Sequence, residues 1–258
     1  MRRISCLFVL CLSTGLLGFP QSSKNPPAEG FNAEGSDVKA IAIADQVMAN
    51  MGGWKNWNDT RYITWKFFGR RFHVWDKHTG RIRVEDNNRT VLMNIHSKAG
   101  RAWEDGQEIT DPDSLAPRLE SAYRAWINDS YWLVMPYKLK DSGVTLKYMG
   151  EKTMENGQDA DVLQLTFEEV GVTPENKYEV FVSKESGMVE QWSFFRNTQD
   201  PEPAFNSPWL EWKKYGEIML SASRGNRGHS DLAVFNELPA SIFESPEPVD
   251  LMSIAQAR

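Results

Sequence analysis

Four histidines give the chain its capacity for proton transfer near neutral pH: His73, His78, His96 and His229. Of these, His73 has the most suggestive neighbours. Trp75 shares its strand face, Asp76 follows, and the Arg81/Arg83 pair lies across the turn Lys77-His78-Thr79-Gly80. A histidine, a carboxylate and two guanidinium groups on one hairpin suit acid–base chemistry or the capture of an anion. They equally suit a solvated hairpin face stitched by cross-strand ion pairs, which is the simpler reading. His78 falls in the turn and reads as surface. Glu168-Glu169 with Glu190 would offer the carboxylate pair of a glycosidase, but Glu168-Glu169 ends a strand, where solvation is expected. No spacing gathers three or four metal ligands. The sequence lacks Gly-x-Ser-x-Gly, His-Glu-x-x-His, a phosphate-binding loop and a Gly-x-Gly-x-x-Gly before a helix. Neither metal nor cofactor is expected.

The aromatic residues are the stronger signal. Ten Trp, 13 Phe and 7 Tyr make up 12% of 258 residues. Trp65, Trp75, Trp103, Trp126, Trp132, Trp192, Trp209 and Trp212 fall on expected strands, on an expected helix, or beside them. Tryptophan filling a large core would explain this. So would a cavity walled by rings, the usual lining of ligand sites in barrel mouths. Trp54 and Trp57, just after the first helix, suit a rim or a partner surface.

The elements that must position these residues follow from hydrophobic period. Ile41, Ala44, Val47, Met48 and Met51 predict a helix over 37–51, capped by Ser36 and ended by Gly52-Gly53. The period then becomes two. Ile63, Trp65 and Phe67 alternate with polar and aromatic neighbours; Phe72 and Val74 face away from His73 and Trp75; Ile82 and Val84 oppose Arg81, Arg83 and Glu85. A second helix is predicted over 114–128, with Asp113 or Ser114 as cap. The dense run 131–135 fits helix or strand. Strands resume at 144–148, 163–167, 178–182, 188–195, 210–215, 218–220 and 232–235, with short turns that require antiparallel pairing.

About ten or eleven strands with two helices form a large sheet that tends to curl or close. The expected fold is α+β, mainly antiparallel β: a curved half-barrel over residues 36–235 under a lid of two helices. Residues 24–35 read as a flexible leader and 236–258 as a tail trailing over the surface.

Arg2 and Arg3 precede an apolar run over 4–19 that Pro20 stops. This is shorter than the about 20 residues of a membrane span, so residues 1–23 read as a cleaved signal peptide. No membrane span is expected afterwards. Both cysteines, Cys6 and Cys11, lie within it, and neither has the context that favours lipidation. A net charge of −6 argues against nucleic acid as a partner.

Three runs carry a family resemblance. They are Arg70-Arg71-Phe72-His73-Val74-Trp75-Asp76 continuing to Glu85, Tyr131-Trp132-Leu133-Val134-Met135-Pro136 continuing to Asp141, and Val170-Gly171-Val172-Thr173-Pro174 continuing to Tyr178. They resemble runs in exported bacterial proteins similar in architecture to the periplasmic lipoprotein carriers, the LolA/LolB-like group. The resemblance spans about residues 36–235 and implies a curved antiparallel sheet, a helical lid and a lipid-accepting cavity. No carrier motif aligns residue by residue, so it transfers no functional residue.

The leading expectation is a non-enzymatic periplasmic or envelope protein without a lipid anchor. It holds a lipid, an acyl chain or another apolar ligand, with protein partners unspecified. The lining residues expected are Trp65, Phe67, Phe72, Val74, Leu119, Tyr123, Trp126, Trp132 and Trp192. A polar site is expected at His73, Trp75, Asp76, Arg81 and Arg83. The rival readings are an envelope enzyme using His73, Asp76 and Arg81, and a structural envelope protein with a filled core.

Overall fold

Helix α1 (Val38–Asn50) buries Ala40, Ala44, Val47 and Met48, one face of a 3.6-residue period. The computed structural model describes residues 24–168 and 173–251. The expected signal peptide with Cys6 and Cys11, Glu169, and the start of the third resemblance run therefore lie outside the described residues. Ser36 does not cap α1. Its hydroxyl donates to the Asn32 carbonyl at 2.6 Å and accepts from the Leu146 N–H at 2.9 Å. Asp37 takes the cap position, but its carboxylate accepts from the Tyr148 N–H at 2.9 Å. Both side chains thus fasten the helix start to the neighbouring sheet. Gly52, at φ 105°, ends the helix where a Cβ would collide with the Glu217 carbonyl oxygen. A short helix that the period did not reveal, α2 (Gly53–Asp59), follows.

Six strands come next: β1 (Tyr62–Phe67), β2 (Arg71–Asp76), β3 (Arg81–Asp86), β4 (Arg89–Asn94), β5 (Gly100–Glu104) and β6 (Gln107–Glu108). Helix α3 (Pro112–Val134) then crosses the molecule, and β7 (Val144–Thr153), β8 (Asp159–Phe167), β9 (Lys177–Ser183), β10 (Val189–Phe195) and β11 (Phe205–Pro208) form a second group. A hairpin, β12 (Leu210–Tyr215) and β13 (Ile218–Ser223), leads to β14 (His229–Phe235).

All pairings among the described residues are antiparallel, so the mainly antiparallel α+β class holds. The single half-barrel sheet does not. Among the described residues there are fourteen strands, split into a seven-stranded sheet ordered β14-β1-β2-β3-β4-β5-β6, a five-stranded sheet ordered β11-β10-β9-β8-β7, and the β12-β13 hairpin. They form no closed barrel. The described α-helices number three rather than two.

The reason for the split is α3. Its 23 residues span about 34 Å at 1.5 Å per residue, long enough to separate one sheet from the next. The cap is Asp111, whose carboxylate accepts from the Ser114 N–H at 2.9 Å. The ambiguous run 131–135 supplies the helix's last turn, and the chain continues as a 3₁₀ turn over Met135–Lys138. Leu115, Leu119, Tyr123 and Trp126 of α3 pack on Ile82, Val84, Val91, Met93 and Ala102 of the seven-stranded sheet. Tyr131 and Trp132 pack on the larger core that includes the five-stranded sheet.

Both flanking segments are docked. In the 24–35 stretch the Ala28 N–H donates to the Lys140 carbonyl at 2.9 Å, and the Lys140 ammonium reaches the Asn25 carbonyl at 2.5 Å. At the other end, Arg83 donates to the carbonyls of Ile242, Ser245, Pro246 and Glu247 at 3.1, 2.7, 3.0 and 2.6 Å. These four bonds hold the C-terminal segment down, where the sequence suggested a trailing tail.

Candidate functional site

The C-terminal half of α3 and the five-stranded sheet enclose a cleft of about 530 Å³. On the helix side stand Arg124, Ile127, Asn128, Tyr131 and Trp132, at the i, i+3, i+4, i+7 spacing that puts side chains on one face. On the sheet side, strand pairing builds an aromatic ladder. Phe194 of β10 is paired with Tyr178 of β9 and with Phe205 of β11, and Trp192 lies two residues along the same face. Phe167, at the end of β8, meets Tyr178 edge-on at 5.8 Å between ring centroids. Trp192 is the buried centre, 4.7 Å from Trp132 and 5.0 Å from Tyr178.

The walls are held from behind. The Trp132 carbonyl accepts from the Arg224 guanidinium at 2.5 Å and lies 3.3 Å from His229 Nε2. Arg224 itself stacks 3.6 Å above the Trp209 ring. Burial pushes the Tyr178 hydroxyl up to about 12, against the lowering hydrogen bond to Asn176, and burial also raises Tyr131 well above its ordinary value. Both phenols are therefore neutral donors at any physiological pH. The mouth carries Arg124, Asn128, Thr173 and Asn176, with no carboxylate among the described lining residues.

A second buried site lies where α3 crosses the seven-stranded sheet. Asp129 accepts two bonds from Arg71, at 2.6 and 2.8 Å, and lies 2.8 Å from His73 Nε2. Burial pushes the Asp129 carboxyl up, but the bonds from Arg71 and His73 outweigh it and keep it below the usual carboxylate range. For His73, burial wins over the pull of Asp129, and the ring is pushed down from its ordinary value. It stacks on Trp65 with centroids 4.5 Å apart.

The expected polar site is not assembled. Register places His73 and Trp75 on the face with Trp65 and Val84, whereas Asp76, Arg81 and Arg83 lie on the opposite face. Asp76 is bound there by Arg61 and Arg81, each at 3.2 Å, and Arg83 holds the C-terminal segment. Trp75 meets Trp126 at 5.3 Å.

The nine expected lining residues also separate. Trp132 and Trp192 line the cleft. Trp65 and Phe67 are buried in the main core, and Leu119, Tyr123 and Trp126 pack on the seven-stranded sheet. Phe72 and Val74 point to that sheet's other side, where Val74 is buried and Phe72 borders a separate hollow with Lys66 and Leu232. The sequence reading missed Tyr131, Phe167, Tyr178, Phe194 and Phe205 as cleft residues. Period two around the Gly187 turn places Trp192 and Phe194 on one face, but it leaves open which sheet that face belongs to.

Among the described residues no group of three or more His, Cys, Asp or Glu could hold a metal ion. No described helix is long and apolar enough to cross a membrane.

No protein-family model matches the chain, and the curated proteins contain no match. Among solved structures, a DUF1329 family protein from Desulfovibrio piger aligns with a TM-score of 0.41 and 12% identity, over 80% of this chain and 97% of that one. MucB aligns with a TM-score of 0.27 and 15% identity, over 72% of this chain and 66% of that one. A structure of the Pseudomonas aeruginosa MucA/MucB complex gives a TM-score of 0.26 and 14% identity, over 72% and 64%. Likenesses at this level assign no function.

Proposed function

We propose that this chain is an exported, non-enzymatic binding protein of the periplasm or envelope, without a lipid anchor, that holds an apolar small molecule or lipid in the cleft between α3 and the five-stranded sheet. The observation that carries this reading is the cleft itself: about 530 Å³ walled by seven aromatic rings. That volume falls within the roughly 300–1,000 Å³ of small-molecule sites. A structural protein with a filled core does not require an open cleft walled by rings, whose apolar lining stays in contact with water until a ligand covers it. The enzyme reading loses its constellation, since His73 and the Asp76/Arg81 pair lie on opposite faces of one sheet. The expected signal peptide, with Arg2 and Arg3 before an apolar run, and the resemblance to lipoprotein carriers motivate the location.

Native mass spectrometry of the purified protein, with organic extraction, tests the reading together with titration of an apolar fluorescent probe. Probe binding near 1 µM, about −8 kcal/mol, is expected, with its loss in Phe194→Asp while the circular dichroism spectrum is kept. A protein that takes up no probe and yields no extractable molecule would refute it.

A further inference from the structure

Two costly features of the fold end on one residue of the cleft wall, Trp132. The first concerns its carbonyl. At the end of α3 the Met135 N–H donates to the Tyr131 carbonyl. The next N–H would serve Trp132, but that position is Pro136, which has none. The orphaned carbonyl takes the Arg224 guanidinium at 2.5 Å and lies 3.3 Å from His229 Nε2. Arg224 is 4% exposed, and its other partners are neutral: the Ser221 carbonyl and hydroxyl at 3.3 and 2.8 Å, and the Ser223 carbonyl at 2.7 Å. A buried guanidinium without a counter-charge bears the cost of leaving water with nothing to offset its charge. The clasps elsewhere avoid this, since Arg71 binds Asp129 and Arg83 pairs with Glu85.

The second feature concerns the ring. In the turn between β1 and β2, Phe68 and Gly69 both have positive φ, 48° and 70°. Asn, Asp or Gly suits such hairpin positions, and a phenylalanine there is strained. The Phe68 ring meets Trp132 edge-on at 5.4 Å and stacks on His229 at 5.5 Å. The strained position thus puts an aromatic ring behind Trp132, where glycine would put none. Within the cleft Trp132 meets Trp192 at 4.7 Å, and Trp192 is backed at 5.5 Å by Trp209, the ring on which Arg224 stacks. Arg224 is therefore tied to the helix wall and to the sheet wall at once.

Neither Arg224 nor Phe68 is among the described residues that line the cleft. Strain of this kind persists where the surrounding fold enforces it, and it gathers at binding sites. A wall ring already fixed in its bound position has no rotamer freedom to lose when ligand arrives, which raises affinity. We infer, on the premise that the cleft is the ligand site, that Arg224 and Phe68 are its positioning residues: they touch no ligand, and they set its affinity by fixing Trp132 in the wall.

Titration of the full mature chain with N-phenyl-1-naphthylamine, an uncharged apolar dye, beside urea unfolding, tests this. Phe68→Gly relieves the backbone and removes the ring, so its stability should fall less than that of Trp126→Ala while its dye affinity falls at least about tenfold. Trp126→Ala, which packs on the other side of α3, should show the reverse order. Arg224→Met should weaken dye binding too, and adding Pro136→Ala, which returns an N–H to the Trp132 carbonyl, should recover most of that loss. A purely structural role gives neither the crossed order nor the rescue. Dye affinity within about twofold of the parent in either folded single variant, or affinity losses that rank with stability losses across the three, would overturn the positioning inference and leave a ligand-binding cleft. If Arg224→Met does not fold, the comparison of Phe68→Gly with Trp126→Ala decides alone. A parent chain that binds no dye would overturn both.

Discussion

His73 on β2 and Asp129 on α3, 56 residues apart in sequence, meet at 2.8 Å in a buried contact that joins the seven-stranded sheet to the long helix. Arg71, two residues before His73, already neutralises the carboxylate with two bonds. The imidazole is therefore neutral and donates Nε2–H, leaving Nδ1 as a bare acceptor without a protein partner. Protonation would put an unsatisfied N–H in the same apolar place.

Removing Asp129 strands Arg71 and His73 together. Asp129→Ala is expected to cost about 3–5 kcal/mol, the range for breaking a buried ion pair from one side. Urea unfolding measures it directly. The double variant Arg71→Met/Asp129→Leu should cost less than Asp129→Ala alone, because no uncompensated charge remains. An equal or larger loss in the double variant would show that packing, not charge, dominates there.

Acid should weaken the fold well before carboxylates titrate. His73 is held below its ordinary value by burial, and His229 is lowered to about 3 for the same reason. In both cases the unfolded chain takes up its proton first, near pH 6.5. Stability is therefore complete above about pH 6.5 and falls as pH drops below it, by up to about 1.4 kcal/mol per unit for each histidine. Asp129, whose folded value is depressed, adds its loss only below about pH 4. Unfolding free energies measured from pH 8 to pH 4 should show the decline, and His229→Gln should flatten it. A flat profile between pH 6.5 and 5 would contradict the burial of neutral imidazoles.

Local pattern made the elements legible and left their assembly hidden. The apolar spacing of Ala44, Val47 and Met48 located α1, and alternation at Trp65, Phe67, Val74 and Val84 located the first strands with their faces. Alternation also separated His73 from Phe72 and Val74, but Asp76 and Arg81 were grouped with His73 by nearness in the chain, although an odd offset along a strand reverses the face. Asp129 was overlooked because its partners lie 56 and 58 residues away. A lone carboxylate in the apolar stretch 126–134 was the available clue. Arg83 looked like an outer-face charge because nothing local announces that residues 242–247 return to cover it. Strand β11 escaped because Phe205–Pro208 has no alternating run of its own and is recruited by pairing with β10.

Trp126 separates the two sides of α3. Its ring meets Trp75 edge-on at 5.3 Å within the cluster on the seven-stranded sheet, away from the cleft. Trp126→Ala should lower stability by about 3 kcal/mol, the low end for a large aromatic since the site is only partly buried. Affinity of an apolar probe for the cleft should change less than about twofold, under 0.5 kcal/mol. Trp132→Ala, by contrast, should abolish measurable probe binding. Loss of probe binding in Trp126→Ala at unchanged stability would move the ligand site to the other face of the helix.

Arg83 makes the C-terminal segment part of the domain. Its guanidinium is buried, pairs with Glu85 at 2.5 Å, and spends its remaining donors on four carbonyls between Ile242 and Glu247. Nearby, Phe243 stacks on Tyr62 with centroids 6.1 Å apart, and Arg81 lies 4.7 Å from the Phe243 ring. Arg83→Met keeps the apolar stem and removes every donor. The carbonyls then have either no partner or water, and water is reached only by lifting the segment from the sheet. Undocking limits the damage, so the variant should remain folded while hydrogen exchange across residues 240–250 accelerates at least about tenfold, equivalent to about 1.4 kcal/mol of local stability. Proteolysis should clip the same region. Phe243→Ala should loosen the segment less, because the hydrogen-bonded clasp persists. If exchange in the segment is unchanged in Arg83→Met, ring packing rather than the arginine clasp holds the C-terminal segment in place.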